Sequence, residues 1–197
     1  GRLYFGSQTA GIIYSDDMGE NWQSADLFGE KNISLIWSDS KGKLFIAGCS
    51  GEANSPDGVT RGHTLYYSTD GLKSFSSLTA PEPVRYEKAT YYGFVPQRTT
   101  RDSKYLYITF ASSGEVFYGG MGAYACDTGS LSGGKVYRYR IENGVPVFDK
   151  DITPADKTPC GYSGISSKGK MLLLSTVCRK KGGDIIYKST DNGESWQ

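Results

Sequence analysis

Histidine is almost missing from this 197-residue chain, with His63 its only copy. A His-based triad or a His-rich zinc site therefore has little to draw on. Cysteine is sparse too. Cys49, Cys126, Cys160 and Cys178 have no C-x-x-C spacing, which argues against a zinc ribbon or a thioredoxin-type motif. No run of about 18 apolar residues occurs, so no membrane-spanning helix is expected. Neither sign of charge dominates: 22 Lys and Arg balance 21 Asp and Glu, for a net charge of +1. That balance leaves no general electrostatic footprint for nucleic acid or for an acidic membrane. No basic segment followed by an apolar stretch opens the chain, and its first residue is Gly1. The expectation is a trimmed or internal segment without a signal peptide. Helical periodicity is lacking as well. Its nearest candidate, 163–176, breaks at Lys168-Gly169-Lys170 and turns β-branched afterwards.

What the chain does have is glycine, tyrosine and short apolar runs. The aromatic share of 13% is too high for a disordered chain. Runs such as Ile33–Trp37, Leu44–Ala47, Tyr105–Phe110, Lys135–Tyr139 and Met171–Val177 lie between clusters of Gly, Ser, Asn and Asp. That alternation of apolar runs and turn residues reads as strands throughout.

Internal repeats organise these strands. Three segments share Ser-x-Asp-x-Gly-x-x-Trp directly after an apolar run. The first carries Ser15, Asp17, Gly19 and Trp22. The second carries Ser68, Asp70 and Phe75, with Leu72 in the glycine position. The third carries Ser189, Asp191, Gly193 and Trp196. A degenerate copy without the Ser and Asp fits at Val136–Gly144. The chemistry of the pattern is local. An Asp in a tight turn accepts backbone N–H groups, and a Ser hydroxyl adds a second side-chain-to-backbone bond. Glycine supplies a positive φ, and the aromatic ring folds over the turn. The segment is thus a clasp between two strands, and its carboxylate is structural rather than catalytic. It resembles the Asp-box, or BNR repeat, of β-propellers. The resemblance implies an all-β chain: a propeller segment of about three and a half four-stranded blades. Each clasp would join the third and outermost strands of a blade. The blade units would be 1–28, 29–82, 83–154 and 155–197, starting at the second strand of the first.

The resemblance extends to the order of the other elements. Leu3-Tyr4-Phe5-Gly6-Ser7 leads to the first clasp, and Lys104–Phe110 precedes a Gly-rich stretch. Val136–Tyr139 runs on to Asp151-Ile152-Thr153-Pro154, then to Gly161–Ile165, Met171–Thr176 and Gly183–Asp191. In that order they resemble the N-terminal propeller of glycoside hydrolase family 74, the xyloglucanases. The resemblance implies a parent of two seven-bladed propellers with an open cleft between them. It implies hydrolysis of the β-1,4-glucan backbone of xyloglucan with inversion, by one aspartate from each propeller. Inversion needs the two carboxyls about 6.5–9.5 Å apart to admit a water. Neither aspartate motif occurs here, so no catalytic residue is expected within this segment, and no cofactor or metal. The partners implied are a polysaccharide and the remainder of the propeller, in the same or another chain. The implied location is extracellular or at the cell surface. Two stretches depart from the family pattern: the extended one from Ser113 to Gly134, and Cys178–Gly183 where the family often has a tryptophan pair.

Candidate substrate contacts follow. Tyr118 and Gly119 lie in the loop Phe117–Tyr124, where the family places a loop tyrosine that can stack on a sugar ring. Tyr91, Tyr92, Gln97 and Arg98 lie just before the inner part of a blade, where polar groups can face a cleft; packing on the next blade is the alternative. Trp37 ends an inner strand and reads as core. Cys160 and Cys178 flank two neighbouring strands and form the favoured disulfide, with free thiols as the alternative. Asn32-Ile33-Ser34 is a glycosylation sequon if the host secretes the chain. Gly129–Lys135 satisfies Gly-x4-Gly-Lys, but Val136 replaces the Ser or Thr of a phosphate loop and a strand follows. Two other functions compete. A sialidase shares the clasps but needs an arginine cluster and a Tyr–Glu pair. A non-catalytic propeller for binding, sorting or assembly needs only clasps and surfaces.

Overall fold

The computed structural model describes residues 2–7, 11–25, 33–50, 63–78, 94–112, 135–155, 161–177 and 185–197. Among them there is no helix, and the strands form four antiparallel sheets in chain order. The first sheet is β1 (Leu3–Gly6), β2 (Ile12–Ser15) and β3 (Gln23–Ser24). The second is β4 (Ile33–Ser38), β5 (Phe45–Ser50), β6 (His63–Ser68) and β7 (Ser76–Leu78). The third is β8 (Phe94–Arg101), β9 (Tyr105–Ser112), β10 (Lys135–Glu142) and β11 (Val145–Asp151). The fourth is β12 (Gly161–Lys168), β13 (Met171–Val177) and β14 (Ile186–Ser189). Sequence pattern alone offers no apolar run for β8 or β11, because they mix apolar with polar residues.

Three apolar cores separate the four sheets. The first core joins Ile12 to Ile33, Phe45, Ala47 and Leu72. The second joins Leu44, Ile46, Leu65 and Leu78 to Leu106, Ile108, Phe110, Tyr137 and Tyr139, with Trp37 packed at its side. The third joins Tyr107, Val136 and Ile152 to Tyr162, Leu172, Leu174 and Tyr187. Successive side chains of a strand point to opposite faces. Hence Phe45 and Ala47 of β5 enter the first core and Ile46 enters the second. In β9, Leu106 and Ile108 enter the second core and Tyr107 enters the third. Sheets buried on both faces need such continuous apolar runs. The result is a stack of propeller blades.

Tight turns set the strand register. β10 and β11 are joined by Asn143-Gly144, with φ of 53° and 85°. Two positive φ values in a two-residue hairpin make the primed turn that matches strand twist. This is the degenerate copy of the clasp. In the fourth sheet, Lys188 and Gln197 exchange both backbone hydrogen bonds, as Tyr14 pairs with Gln23 and Tyr67 with Ser76.

Polar bonds also cross between sheets. Arg101 Nη1 lies 3.0 Å from Asp39 Oδ2, linking the β8–β9 and β4–β5 turns. Arg138 is buried between the third and fourth sheets, its side chain only 7% exposed. Its Nε donates to Asp149 Oδ2 at 2.6 Å and its Nη1 to the Asn192 carbonyl at 2.9 Å. The same Nη1 lies 2.8 Å from Glu194 Oε1, and the guanidinium covers the Tyr105 ring.

Tyr139 is fully buried, and its hydroxyl has no hydrogen-bond partner among the described residues. A desolvated hydroxyl without a partner costs about 1–3 kcal/mol. Tyr139→Phe is therefore expected to leave stability unchanged or raise it by about 1 kcal/mol. Urea midpoints of the two proteins check this, and a fall would show that the hydroxyl is satisfied.

Candidate functional site

The three clasps share one geometry. Ser15 donates its hydroxyl to Asp17 Oδ1 at 2.7 Å and accepts the Gly19 N–H at 2.8 Å. Asp17 Oδ1 accepts the Asn21 N–H at 2.9 Å, and Oδ2 accepts the Asn21 side-chain amide at 2.7 Å. In the second clasp Ser68 bonds Asp70 Oδ1 and accepts the Leu72 N–H. Asp70 then takes the Lys73 and Ser74 N–H groups and the Ser74 hydroxyl. In the third, Ser189 bonds Asp191 and accepts the Gly193 N–H, while Asp191 takes the Ser195 N–H and hydroxyl. Trp196 closes the third turn over Ile152, donating its indole N–H to the Ile152 carbonyl at 2.7 Å.

Two features of the clasp escape the repeat pattern. The first is the donor before the aromatic residue: Asn21, Ser74 and Ser195 close the second carboxylate oxygen. All three copies carry a short polar side chain there, which was the available signal. The second is a pair of left-handed residues, Met18-Gly19, Gly71-Leu72 and Asn192-Gly193, all with positive φ. Leu72 thus takes a conformation that favours glycine, and it is held there by burial in the first core.

These bonds set the acidity of the carboxyls. Asp17 is held down to about 2, first by the Asn21 N–H and then by the Ser15 hydroxyl. Asp70 and Asp191 are likewise lowered to about 2, first by the hydroxyls of Ser74 and Ser195. Both oxygens of each carboxylate are engaged, and a glycosidase acid needs a raised pKa. The clasp aspartates therefore hold turns. A carboxyl with a lowered folded pKa stabilises the fold above its unfolded pKa, and that contribution disappears as pH falls through the folded value. With 3.8 as the ordinary value and about 2 in the fold, clasp stability is complete above pH 4 and lost toward pH 2. Melting temperatures measured between pH 5 and 2 should fall in that window. Asp70→Asn should flatten the fall, and an unchanged slope would count against the clasp as its source.

The inner strands of the second, third and fourth sheets share another feature. Each carries a one-residue bulge against its neighbour, at Ser34 in β4, Gln97 in β8 and Ser163 in β12. Each bulge lies in the first half of its strand, away from the tight turn that follows. Bulges gather where a strand must re-aim its residues. Gln97 and Arg98, expected just before the inner part of the blade, lie instead within its inner strand, because β8 starts pairing at Phe94, and Gln97 is the bulged residue. Arg98 follows it, exposed, with its N–H donated to Thr109 Oγ1 at 3.2 Å. Phe94 pairs with Ser112 at one end of the third sheet, and the described residues leave out 79–93 and 113–134. Tyr91, Tyr92, Tyr118 and Gly119 fall in those stretches and lie outside the described residues. So do Cys160 and Cys178, although β12 and β13 between them are hydrogen-bonded from Gly161 and Val177 onward. Among the described residues, no three His, Cys, Asp or Glu side chains gather in a way that would hold a metal ion. None of those residues forms a helix long and apolar enough to cross a membrane.

Comparison with known proteins supplies the context. No family model matches the chain. Over its full length the chain is 26% identical to the oligoxyloglucan-reducing end-specific xyloglucanase of Emericella nidulans, and it spans 25% of that protein. Its fold superimposes on the glycoside hydrolase family 74 enzyme of Niastella koreensis with a TM-score of 0.66 and 20% identity, covering the whole chain and 27% of the enzyme. It also superimposes on the family 74 xyloglucanase of Xanthomonas campestris with a TM-score of 0.63 and 20% identity, covering the whole chain and 28% of the enzyme. The chain thus has the fold of about a quarter of these larger proteins.

Proposed function

We propose that this chain is one stretch of a secreted, xyloglucanase-type glycoside hydrolase that cleaves a β-1,4-glucan backbone with inversion. The observation that carries this reading is similarity to a xyloglucanase in sequence and to family 74 enzymes in fold, each over the whole chain. On this reading the clasps are Asp-boxes, and the rest of the propeller belongs to the same larger protein. The stretch contributes scaffold and substrate contacts, while the acid and base come from elsewhere. That division agrees with three clasp carboxylates whose pKa values are lowered to about 2. The substrate-facing end is the bulged end of the inner strands. Gln97 and Arg98 belong to it, and Tyr92, Tyr118 and Gly119 are the further substrate contacts on this reading.

The test is digestion of xyloglucan by the full-length protein, with products separated by mass. Release of xyloglucan oligosaccharides is expected. Binding without release would favour the non-catalytic propeller. Stacking of an aromatic ring is worth about 1 kcal/mol beyond its buried area. Tyr118→Ala is therefore expected to raise KM several-fold with little change in kcat. An unchanged KM would remove Tyr118 from the contacts.

A further inference from the structure

The outer strands of the first three sheets end alike. Ala25 after β3, Leu78 in β7 and Ile152 after β11 each pack into the core shared with the next sheet. Ala25 and Ile152 are fixed by the same closing bond, their N–H groups donating to the carbonyls of Ile12 and Val136 at 2.9 Å. What receives them differs in size. The second clasp presents Leu72 with Phe75, and the core they share takes the small Ala25. The third clasp presents Gly193 with Trp196, and it takes the large Ile152. A Cβ on Gly193 would lie 2.5 Å from Ile152 Cδ1 and 3.2 Å from Ile152 Cβ. The Trp196 indole then fastens the inserted residue by its carbonyl. Large meets small at these two junctions, as close packing demands.

The first clasp has the glycine form, with Gly19 and Trp22, and none of the described residues fills it. The nearest atoms to a Cβ on Gly19 are Trp22 Cζ2 at 3.8 Å and Leu3 Cδ1 at 3.9 Å. Around it Leu3 is 39% exposed and Trp22 45%, and Phe5, on the same face of β1 as Leu3, is 56% exposed. An apolar face of this kind, built like one that is filled elsewhere in the same chain, is a socket.

We propose that the Gly19–Trp22 socket, walled by Leu3 and Phe5, receives a branched aliphatic side chain from the end of another blade's outer strand within the same longer polypeptide. The Trp22 indole N–H donates to the main-chain carbonyl of that inserted residue. The occupant follows from continuity with the filled junction at Ile152, and from the chain spanning only 25% of its relative. The inference rests on the larger-propeller reading and is independent of the substrate.

The test uses the full-length protein and three substitutions at positive φ. Gly144 has the same φ as Gly193, +85°, but nothing lies within 4 Å of its Cβ position, so Gly144→Leu reads backbone strain alone. Gly193→Leu reads strain plus a filled socket. Gly19→Leu is expected to behave like Gly193→Leu, with a fall in melting temperature roughly twice that of Gly144→Leu, because overpacking adds to strain. A fall equal to that of Gly144→Leu would overturn the proposal. Should Gly19→Leu fail to fold, a photo-crosslinker decides. Leu3→p-benzoylphenylalanine is irradiated and the captured peptide identified by mass. Capture of a branched aliphatic residue at an outer-strand end of the same polypeptide is expected. Capture of a polar or glycine position in that polypeptide overturns the size rule and leaves the larger propeller standing. Capture between two copies overturns both.

Discussion

Replacing Arg138 with alanine should destabilise the protein by about 3 kcal/mol, at the lower end of what breaking a buried ion pair costs. The side chain is 7% exposed and is the shared partner of Asp149, Glu194 and the Asn192 carbonyl. Its loss leaves Asp149, itself 18% exposed, facing a core without its closest cation. Arg140 remains 3.3 Å from Asp149 Oδ1 and moderates the effect. Glu194 retains Lys150 at 2.6 Å and stays partly in water, so most of the loss falls on Asp149 and on the carbonyl. Arg138→Met keeps most of the aliphatic stem and removes the guanidinium, with its charge, its hydrogen bonds and its cover over Tyr105. Denaturant midpoints of the two variants separate these parts. If Arg138→Met costs as much as Arg138→Ala, the loss lies in the guanidinium. A cost below about 1 kcal/mol for both would place Arg138 among ordinary surface pairs.

Gly193→Ala is expected to cost about 3 kcal/mol, from two additive causes. A non-glycine residue in the left-handed region costs about 1–2 kcal/mol. Forcing a methyl into a filled core costs about 1–3 kcal/mol. Both apply at Gly193, where φ is +85° and the added carbon would meet Ile152 at 2.5 Å. Gly144→Ala shares the φ of +85° but meets nothing, so it should cost about 1 kcal/mol. The difference between the two variants measures the junction between the third and fourth sheets. Equal costs would mean that Ile152 moves aside freely.

Much of the fold could be read from residues because the clasp is a local object. Ser15, Asp17, Gly19 and Trp22 lie within eight positions, and their bonds to one another or to nearby backbone define the turn. Repetition then reveals the blade. What the sequence conceals is non-local. Arg138 reads as one more strand residue, since Asp149 and Glu194 become its partners only when two sheets meet. The bulge at Gln97 depends on the register of β8 against β9 and leaves no composition signal. The polar strands β8 and β11 are strands because they pair, not because they are apolar. At the candidate site, Gln97 and Arg98 are placed on the inner strand, while Tyr92, Tyr118 and Gly119 lie outside the described residues.

The alternation along β5 and β9 has a consequence for heat. Phe45 and Ile46 are chain neighbours in different cores, and so are Leu106 and Tyr107. No sheet owns a core by itself, so melting one sheet strips the support from the sheets on either side. The smallest cooperative unit is a pair of blades, and stability is a sum over junctions rather than over blades. Disorder introduced at one junction would spread outward in steps of one blade, as a zipper opens from a damaged tooth.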